Sequence, residues 1–293
     1  MDWLNAGVQG VLLGGQYALL ACGLSLIFGV MRIVNLAHGV LAVLAAYLSL
    51  VLVQQGLPLW LATVVVVPVF AALGYALQRG LFNPALARAR GRASGELAPL
   101  LVSFGVAVAL TNLLQEVFSA DTRTLPTGGL ASAGLAVGGL SVGVLPLITL
   151  VVAAAVIAGV QLYLARTSTG RAMRAVADDA GAAAMTGVDP RHMYGVATAL
   201  GFATLALAGV FVGMSTQFSP GSGDLVLLFA FEAVIIGGLG SLWGTLLGGI
   251  VLGVAQTVGA QIDPQSGVLA GHLVFLAVLL IRPGGLMPRS VQA

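Results

Sequence analysis

The feature that most constrains this chain is a succession of long apolar runs with almost no charge inside them. Runs suited to crossing a bilayer cover roughly residues 7–30, 33–54, 57–78, 97–118, 143–165, 192–214, 225–241, 244–262 and 267–281. A hydrocarbon core about 30 Å thick needs about 20 apolar residues in helical form, and most of these runs approach that length. Only 8% of residues are charged against 59% hydrophobic, which is too little polar surface to coat a soluble domain. The runs are continuous rather than short and alternating, which excludes a β-barrel. The expected fold is all-α, a single transmembrane domain over residues 1–293 formed by a polytopic bundle of eight or nine spans. The gaps after the first run and near residue 242 are only a few residues long, so each flanking pair is either a tight hairpin or a broken helix. An eight-span bundle requires one re-entrant segment.

Charge placement orients the bundle. All 12 basic residues are Arg, and the absence of Lys excludes a P-loop, whose Lys holds the β- and γ-phosphates. Any ATP that drives this protein is bound by another chain. Arg79, Arg88, Arg90 and Arg92 follow the third run, Arg166, Arg171, Arg174 and Arg191 follow the fifth, and Arg282 and Arg289 lie in the tail. The segments on the other side (54–60, 119–142, 216–224 and 261–267) hold one Arg, Arg123. The positive-inside rule puts the Arg-rich loops and the C-terminus in the cytosol and the N-terminus outside, which nine spans satisfy. The opening MDWLNAG has no basic region, so the first run reads as a retained span. Cys22, the one cysteine, sits in an apolar run and reads as a packing residue. Segment 119–142, rich in Gly, Ser and Thr, reads as an external loop with room for short strands. Asn83-Pro84-Ala85 occurs once, before Arg88, and reads as the start of a cytosolic helix with Pro at its first position rather than as a pore motif.

Segment 166–191 (RTSTGRAMRAVADDAGAAAMTGVDPR) carries seven of the chain's 22 charged residues between two apolar runs. Ser168 or Thr169 can cap a helix here, and Gly187 followed by Asp189-Pro190 can end it. Met173, Val176, Ala177, Ala180 and Ala184 recur at three- and four-residue steps on one face, and Arg171, Arg174 and Asp178 on another. A short amphipathic helix held between two spans is either a docking surface or a solvated loop helix.

Two stretches interrupt the spans: 28–39 (FGVMRIVNLAHG), with Arg32, Asn35 and His38 among apolar neighbours, and 231–249 (FEAVIIGGLGSLWGTLLGG). Transporters place unwound segments near the bilayer midplane, where freed backbone groups line a cavity. The small-residue spacing of Gly240, Gly244 and Gly248, and of Gly249 and Gly253, favours close helix packing. Glu232 is the deepest acid, eight residues or about 12 Å of helix after Asp224, and either lines a cavity or pairs locally. Arg32 can snorkel to the cytosolic interface, and His192 sits at a span end. Asn35 and His38 suit hydrogen bonding at a helix break better than ligand binding, and His272, alone in its span, is assigned no role. No metal-ligand spacing and no Ser-His-Asp set is readable, so the chain is not expected to be an enzyme or to hold a metal.

Four stretches carry a family resemblance: GGQYALLACGLSLIFGVMRIVNLAHGVLAVLAAY (14–47), TSTGRAMRAVADDAGAAAMTGVDPRHMYGVATALGFATLALAGVF (167–211), FEAVIIGGLGSLWGTLLGGIVLG (231–253) and RPGGL (282–286). Together, and in this order, the chain resembles the branched-chain amino acid permeases of bacterial ATP-binding cassette importers. The resemblance implies a multi-pass subunit of the bacterial inner membrane. It would pair with a second homologous permease, two cytosolic ATPase subunits and a periplasmic or lipid-anchored substrate-binding protein. Membrane lipid is its other neighbour, and nucleic acid has no part. This chain would hold no cofactor, ATP and Mg²⁺ being bound by the partner subunits. Segment 166–191 would be the ATPase-docking loop, with Gly170, Arg171, Arg174, Ala177, Asp179 and Gly187 carrying the family pattern and Asp178 beside them. Its Gly181-Ala182-Ala183 lacks the Glu of the Glu-Ala-Ala motif of other importers. Asn35, Ala37, His38 and Gly39 fall in the first broken segment, and Glu232, Gly237, Gly238 and Gly240 in the second. The substrate-pathway set is thus Asn35, His38, Glu232, Gly237, Gly238 and Gly240. The implied cargo is a branched-chain or related amino acid, with urea, short amides and aromatic acids as the family's other cargoes. An ion-coupled carrier would place acids deep in several spans, and a small-solute channel of the Asn-Pro-Ala type would use that motif twice.

Overall fold

Each apolar run folds into a helix because hydrocarbon offers no partner to a backbone N–H or C=O, so each segment satisfies its own. In a computed structural model, which describes residues 2–89, 97–137 and 140–287, the helices are α1 (Asp2–Met31), α2 (His38–Gln54), α3 (Leu59–Leu77), α4 (Asn83–Ala89), α5 (Leu97–Phe118), α6 (Val144–Arg166), α7 (Ser168–Asp178), α8 (Ala180–Met185), α9 (Pro190–Ser215), α10 (Gly223–Gly237), α11 (Leu242–Ile262) and α12 (Ser266–Ile281). Arg90, Arg92 and Arg289 lie outside the described residues. Among the described residues, seven helical stretches are long and apolar enough to cross a membrane, with α3 running through α4 as one of them. The expected eight or nine spans count every apolar run alike; α2 and α12, at 17 and 16 residues, are apolar but shorter.

In lipid the usual hydrophobic drive between helices is absent, so close van der Waals contact sets the packing. Helix α11 shows how. Gly244 and Gly248 face Gly237 and Ala233 of α10, while Gly249 and Gly253 face Gly14, Ala18 and Gly10 of α1. Two adjacent glycine stripes thus seat one helix against two neighbours, which is the packing role their spacing predicts. Helices α1 and α9 form the centre, and α5 lies at the periphery, mostly unburied. The ends of α1, α3, α6 and α12 and the start of α9 gather Arg32, Arg79, Arg166, Arg282 and Arg191 at one end of the bundle, hereafter the Arg-rich end. At the opposite end, strands β1 (Gly134–Val137) and β2 (Leu140–Gly143) form an antiparallel hairpin within the loop expected to hold short strands. There Arg123 and Phe218 exchange backbone hydrogen bonds of 2.8 and 2.9 Å.

The two interruptions differ in depth. After Met31 the chain runs through 32–37 without regular structure, and His38 Nε2 then donates to the carbonyl of Leu20 at 3.0 Å. Leu20 is 11 residues before the end of α1, roughly 16 Å at 1.5 Å per residue, so α2 starts deep inside the bundle. This is a broken, re-entrant pair. The second interruption, 238–241, lies level with the end of α1, where Gly29 packs on Gly240. It is a tight hairpin at the Arg-rich end, not a midplane break. What does begin at mid-depth is α10: Gly223 packs against Val40, beside the start of α2. Residues 216–222, expected in an external loop, therefore descend into the bundle, and Asp224 goes with them.

Asn83 does not open a separate helix. Residues Gln78–Phe82 form a π-turn that joins α3 to α4 without a break. Pro84 has no N–H to offer the preceding turn, so the α-helical ladder is already interrupted there and widening it costs less.

Candidate functional site

Segment 166–191 folds as two helices instead of one. Thr167, rather than Ser168 or Thr169, caps the first: its Oγ1 accepts from the N–H of Gly170 at 2.9 Å and donates to the Tyr163 carbonyl at 2.8 Å. A hydroxyl that does both ties α7 back onto the last turn of α6. Gly170 is required there, since a Cβ would lie 2.6 Å from Leu164 Cα. Asp179 interrupts the helix and caps α8, its Oδ1 accepting from Gly181 and Ala182 at 2.8 and 3.0 Å. A carboxylate in that position satisfies donors that a continuous helix would have bonded internally. Gly187 ends α8 with φ of +87°, and Asp189 caps α9 through the N–H of Arg191 at 2.9 Å.

The buried side of this unit is Gly170, Met173, Val176 and Ala183, the last in place of Ala184 because the Asp179 cap shifts the register of α8. These residues sit on Cys22, Leu26 and Val30 of α1, Ile157 of α6, Met193 and Ala197 of α9 and Leu242 of α11. Arg171, Arg174 and Asp178 are exposed, as their spacing predicts, and Asp179 and Gly187 are exposed structural residues. Met185 at the end of α8 is 90% exposed, an apolar tip that the periodicity leaves unnoticed because α8 is too short to show a stripe. Beneath α7 lies a cavity of about 190 Å³ bordered by Ser25, Gln161, Arg174, Ser241 and Trp243. It separates α7 from the second interruption.

A buried polar clasp holds the far end of the unit. Gln78 Nε2 donates to Asn83 Oδ1 at 3.0 Å, Asn83 Nδ2 donates to the Arg191 carbonyl at 3.1 Å, and Thr198 Oγ1 donates to Gln78 Oε1 at 2.9 Å. In an α-helix residues five apart point about 140° from each other, so Gln78 and Asn83 meet only because of the π-turn. Beside them Arg79 donates to the Tyr75 hydroxyl at 2.9 Å, which lies 2.9 Å from His192 Nδ1.

The candidate pathway residues fall into separate places. Asn35 and His38 are buried and act on the first break: Asn35 Oδ1 accepts from the N–H of Ala37 at 3.0 Å, and Ser103 Oγ of α5 accepts from Leu36 at 3.1 Å. Gly237 packs on the backbone of Gly244, and Gly238 and Gly240 adopt φ of +109° and +80° in the second turn. Glu232 is buried and bonded to Nδ1 of His272 on α12, so local pairing describes one of its oxygens; the other has no partner among the described residues. Phe229 stacks on His272 and packs against Tyr17, whose hydroxyl donates to Gln256 Oε1 at 2.5 Å. His272 is thus a residue the sequence reading passed over. The signal was present: one acid and one base, each alone in its span, are costly unless they meet.

Residues 8–282 match the family model described as branched-chain amino acid transport system / permease component. The chain is 30% identical over 302 residues to the high-affinity branched-chain amino acid transport system permease protein BraD of Pseudomonas aeruginosa, covering 98% of this chain and 96% of that protein. It is 26% identical over 304 residues to LivH of Escherichia coli, the permease protein of a high-affinity branched-chain amino acid transport system, again covering 98% and 96%. Among solved structures, PsaBC from Streptococcus pneumoniae in complex with Fab aligns over 97% of this chain and 93% of its own, at 16% identity and a TM-score of 0.48.

Proposed function

Because this chain belongs to the branched-chain amino acid transport permease family, we propose that it is the membrane-spanning subunit of an ATP-driven importer of branched-chain amino acids. The observation that carries the mechanism is the construction of 166–191. Three caps, two glycines and a buried apolar side hold it rigidly on the ends of α1, α6, α9 and α11, while Arg171, Arg174, Asp178 and Met185 stay exposed. A surface fixed to four helix ends transmits a push or pull to all of them. In this reading the Arg-rich end faces the cytosol. There an ATPase subunit grips α7 and α8, with Met185 entering an apolar recess and the two arginines meeting acidic groups. ATP and Mg²⁺ belong to two such subunits, a second permease completes the membrane pair, and an external binding protein delivers and selects the solute. Closure of the ATPases then moves the attached helices as rigid bodies and alternates access.

Charge reversal tests the docking. In the Arg171→Glu, Arg174→Glu double variant, the ATPase is expected to stop copurifying with the permease and uptake to be lost. Copurification and uptake at wild-type levels would contradict it.

A further inference from the structure

Asp224 is out of place for an ordinary capping acid. An aspartate in the first turn of a helix complements the dipole, and where that turn meets water nothing further is implied. Here the turn lies inside the bundle. A Cβ on Gly223 would stand 2.9 Å from Val40 Cα, and one on Gly39 would stand 2.8 Å from Leu227 Cβ. The starts of α10 and α2 are therefore level. The start of α2 is fixed by His38 on Leu20, roughly 16 Å along α1 from the Arg-rich end.

At that depth Asp224 is exposed and makes no hydrogen bond or ion pair among the described residues. Gly221, Leu225 and Leu228 are exposed on the same stripe, Leu225 by 59% and Leu228 by 41%. A carboxylate turned to lipid near mid-bilayer is among the most unfavourable placements a membrane chain can make, so this stripe faces protein or water in the working assembly. Within this chain Asp224 has no ion-pair partner among the described residues: Arg123 donates to the Phe118 carbonyl and His272 is held by Glu232.

We propose that the stripe formed by Asp224, Leu225 and Leu228 of α10, with Gly221 just before it, lines the translocation route, where the Asp224 carboxylate binds the ammonium group of the passing amino acid. Leu225 and Leu228 give its apolar side chain a surface to move along. This deepens the importer reading and rests on it.

The test uses the full complex with its ATPases and binding protein in proteoliposomes, with leucine as the probe. Asp224→Asn should lower leucine uptake about tenfold or more, the scale of a lost charge-assisted hydrogen bond, while the ATPase still copurifies. Asp224→Glu should recover most of it. Asp224→Cys, in a Cys22→Ala background, should react with a cationic methanethiosulfonate, and leucine should slow the reaction. Uptake by Asp224→Asn within twofold of wild type would overturn the inference. So would a cysteine unreactive in every nucleotide state, which would assign the residue to a contact with the partner permease. Failure of the importer reading would show in the wild type instead, as leucine uptake that does not require ATP.

Discussion

Between α1 and α2 the chain leaves the helix at Arg32 and resumes only at His38, whereas between α10 and α11 it turns within 238–241. The first interruption is held by side chains: Asn35 on Ala37, Ser103 on Leu36 and His38 on Leu20. The second is held mainly by backbone, with one side-chain cap, Ser241 Oγ accepting from the N–H of Gly244 at 3.2 Å. Gly238 and Gly240 take positive φ, and the tail folds over them, Leu286 donating to Ile236 and Met287 to Gly237 at 2.8 and 2.9 Å. Those two bonds satisfy carbonyls at the end of α10 that a helix leaves open. The difference follows from position. At the Arg-rich end the RPGGL tail is at hand and a hairpin closes cheaply with glycine. Deep in the bundle no tail segment is at hand, so two of the N–H groups exposed by the break, those of Leu36 and Ala37, are met by polar side chains of a neighbouring helix and of the break itself. RPGGL, which sequence similarity singles out without a reason, thus gains a structural one.

Substitutions can break or sharpen this contrast. The largest effect is expected from Gly238→Ala. At φ of +109° any Cβ is strained, and this one would meet the Met287 carbonyl oxygen at 2.7 Å. A loss of about 2–3 kcal/mol is expected, read as a fall in the thermal midpoint of the purified permease together with release of the tail to proteolysis. A smaller loss, about 1–2 kcal/mol, is expected of Asn35→Ala, which leaves the Ala37 N–H without its acceptor at depth. Hydrogen exchange should then quicken at residues 36–38 and leave 238–241 unchanged. If Asn35→Ala equals Gly238→Ala, or if exchange rises at both breaks together, the two are not independently built.

Much of the architecture was legible because it depends on composition over many residues. The nine apolar runs became helices, the glycine stripes became packing faces, and Arg171, Arg174 and Asp178 emerged together on the open face of α7. What escaped depends on tertiary placement. Asp224 sits at the edge of an apolar run and looks interfacial until Gly223 is seen against Val40. Gln78 and Asn83 look unrelated at a spacing of five until a π-turn brings them together. Thr167 displaced Ser168 and Thr169 as the cap because it alone reaches both Gly170 and Tyr163. Glu232 and His272 lie on different helices 40 residues apart, and only α10 packing against α12 joins them.

The central claim, that α7 and α8 are held by an ATPase on the cytosolic side, is tested most directly at Met185. With cysteine there, in a Cys22→Ala background, a short bifunctional thiol reagent should join the permease to an ATPase subunit bearing a cysteine in its docking groove, and nucleotide should change the yield. Labelling of that cysteine in intact cells by a membrane-impermeant reagent added outside, with no cross-link to the ATPase, would contradict the account.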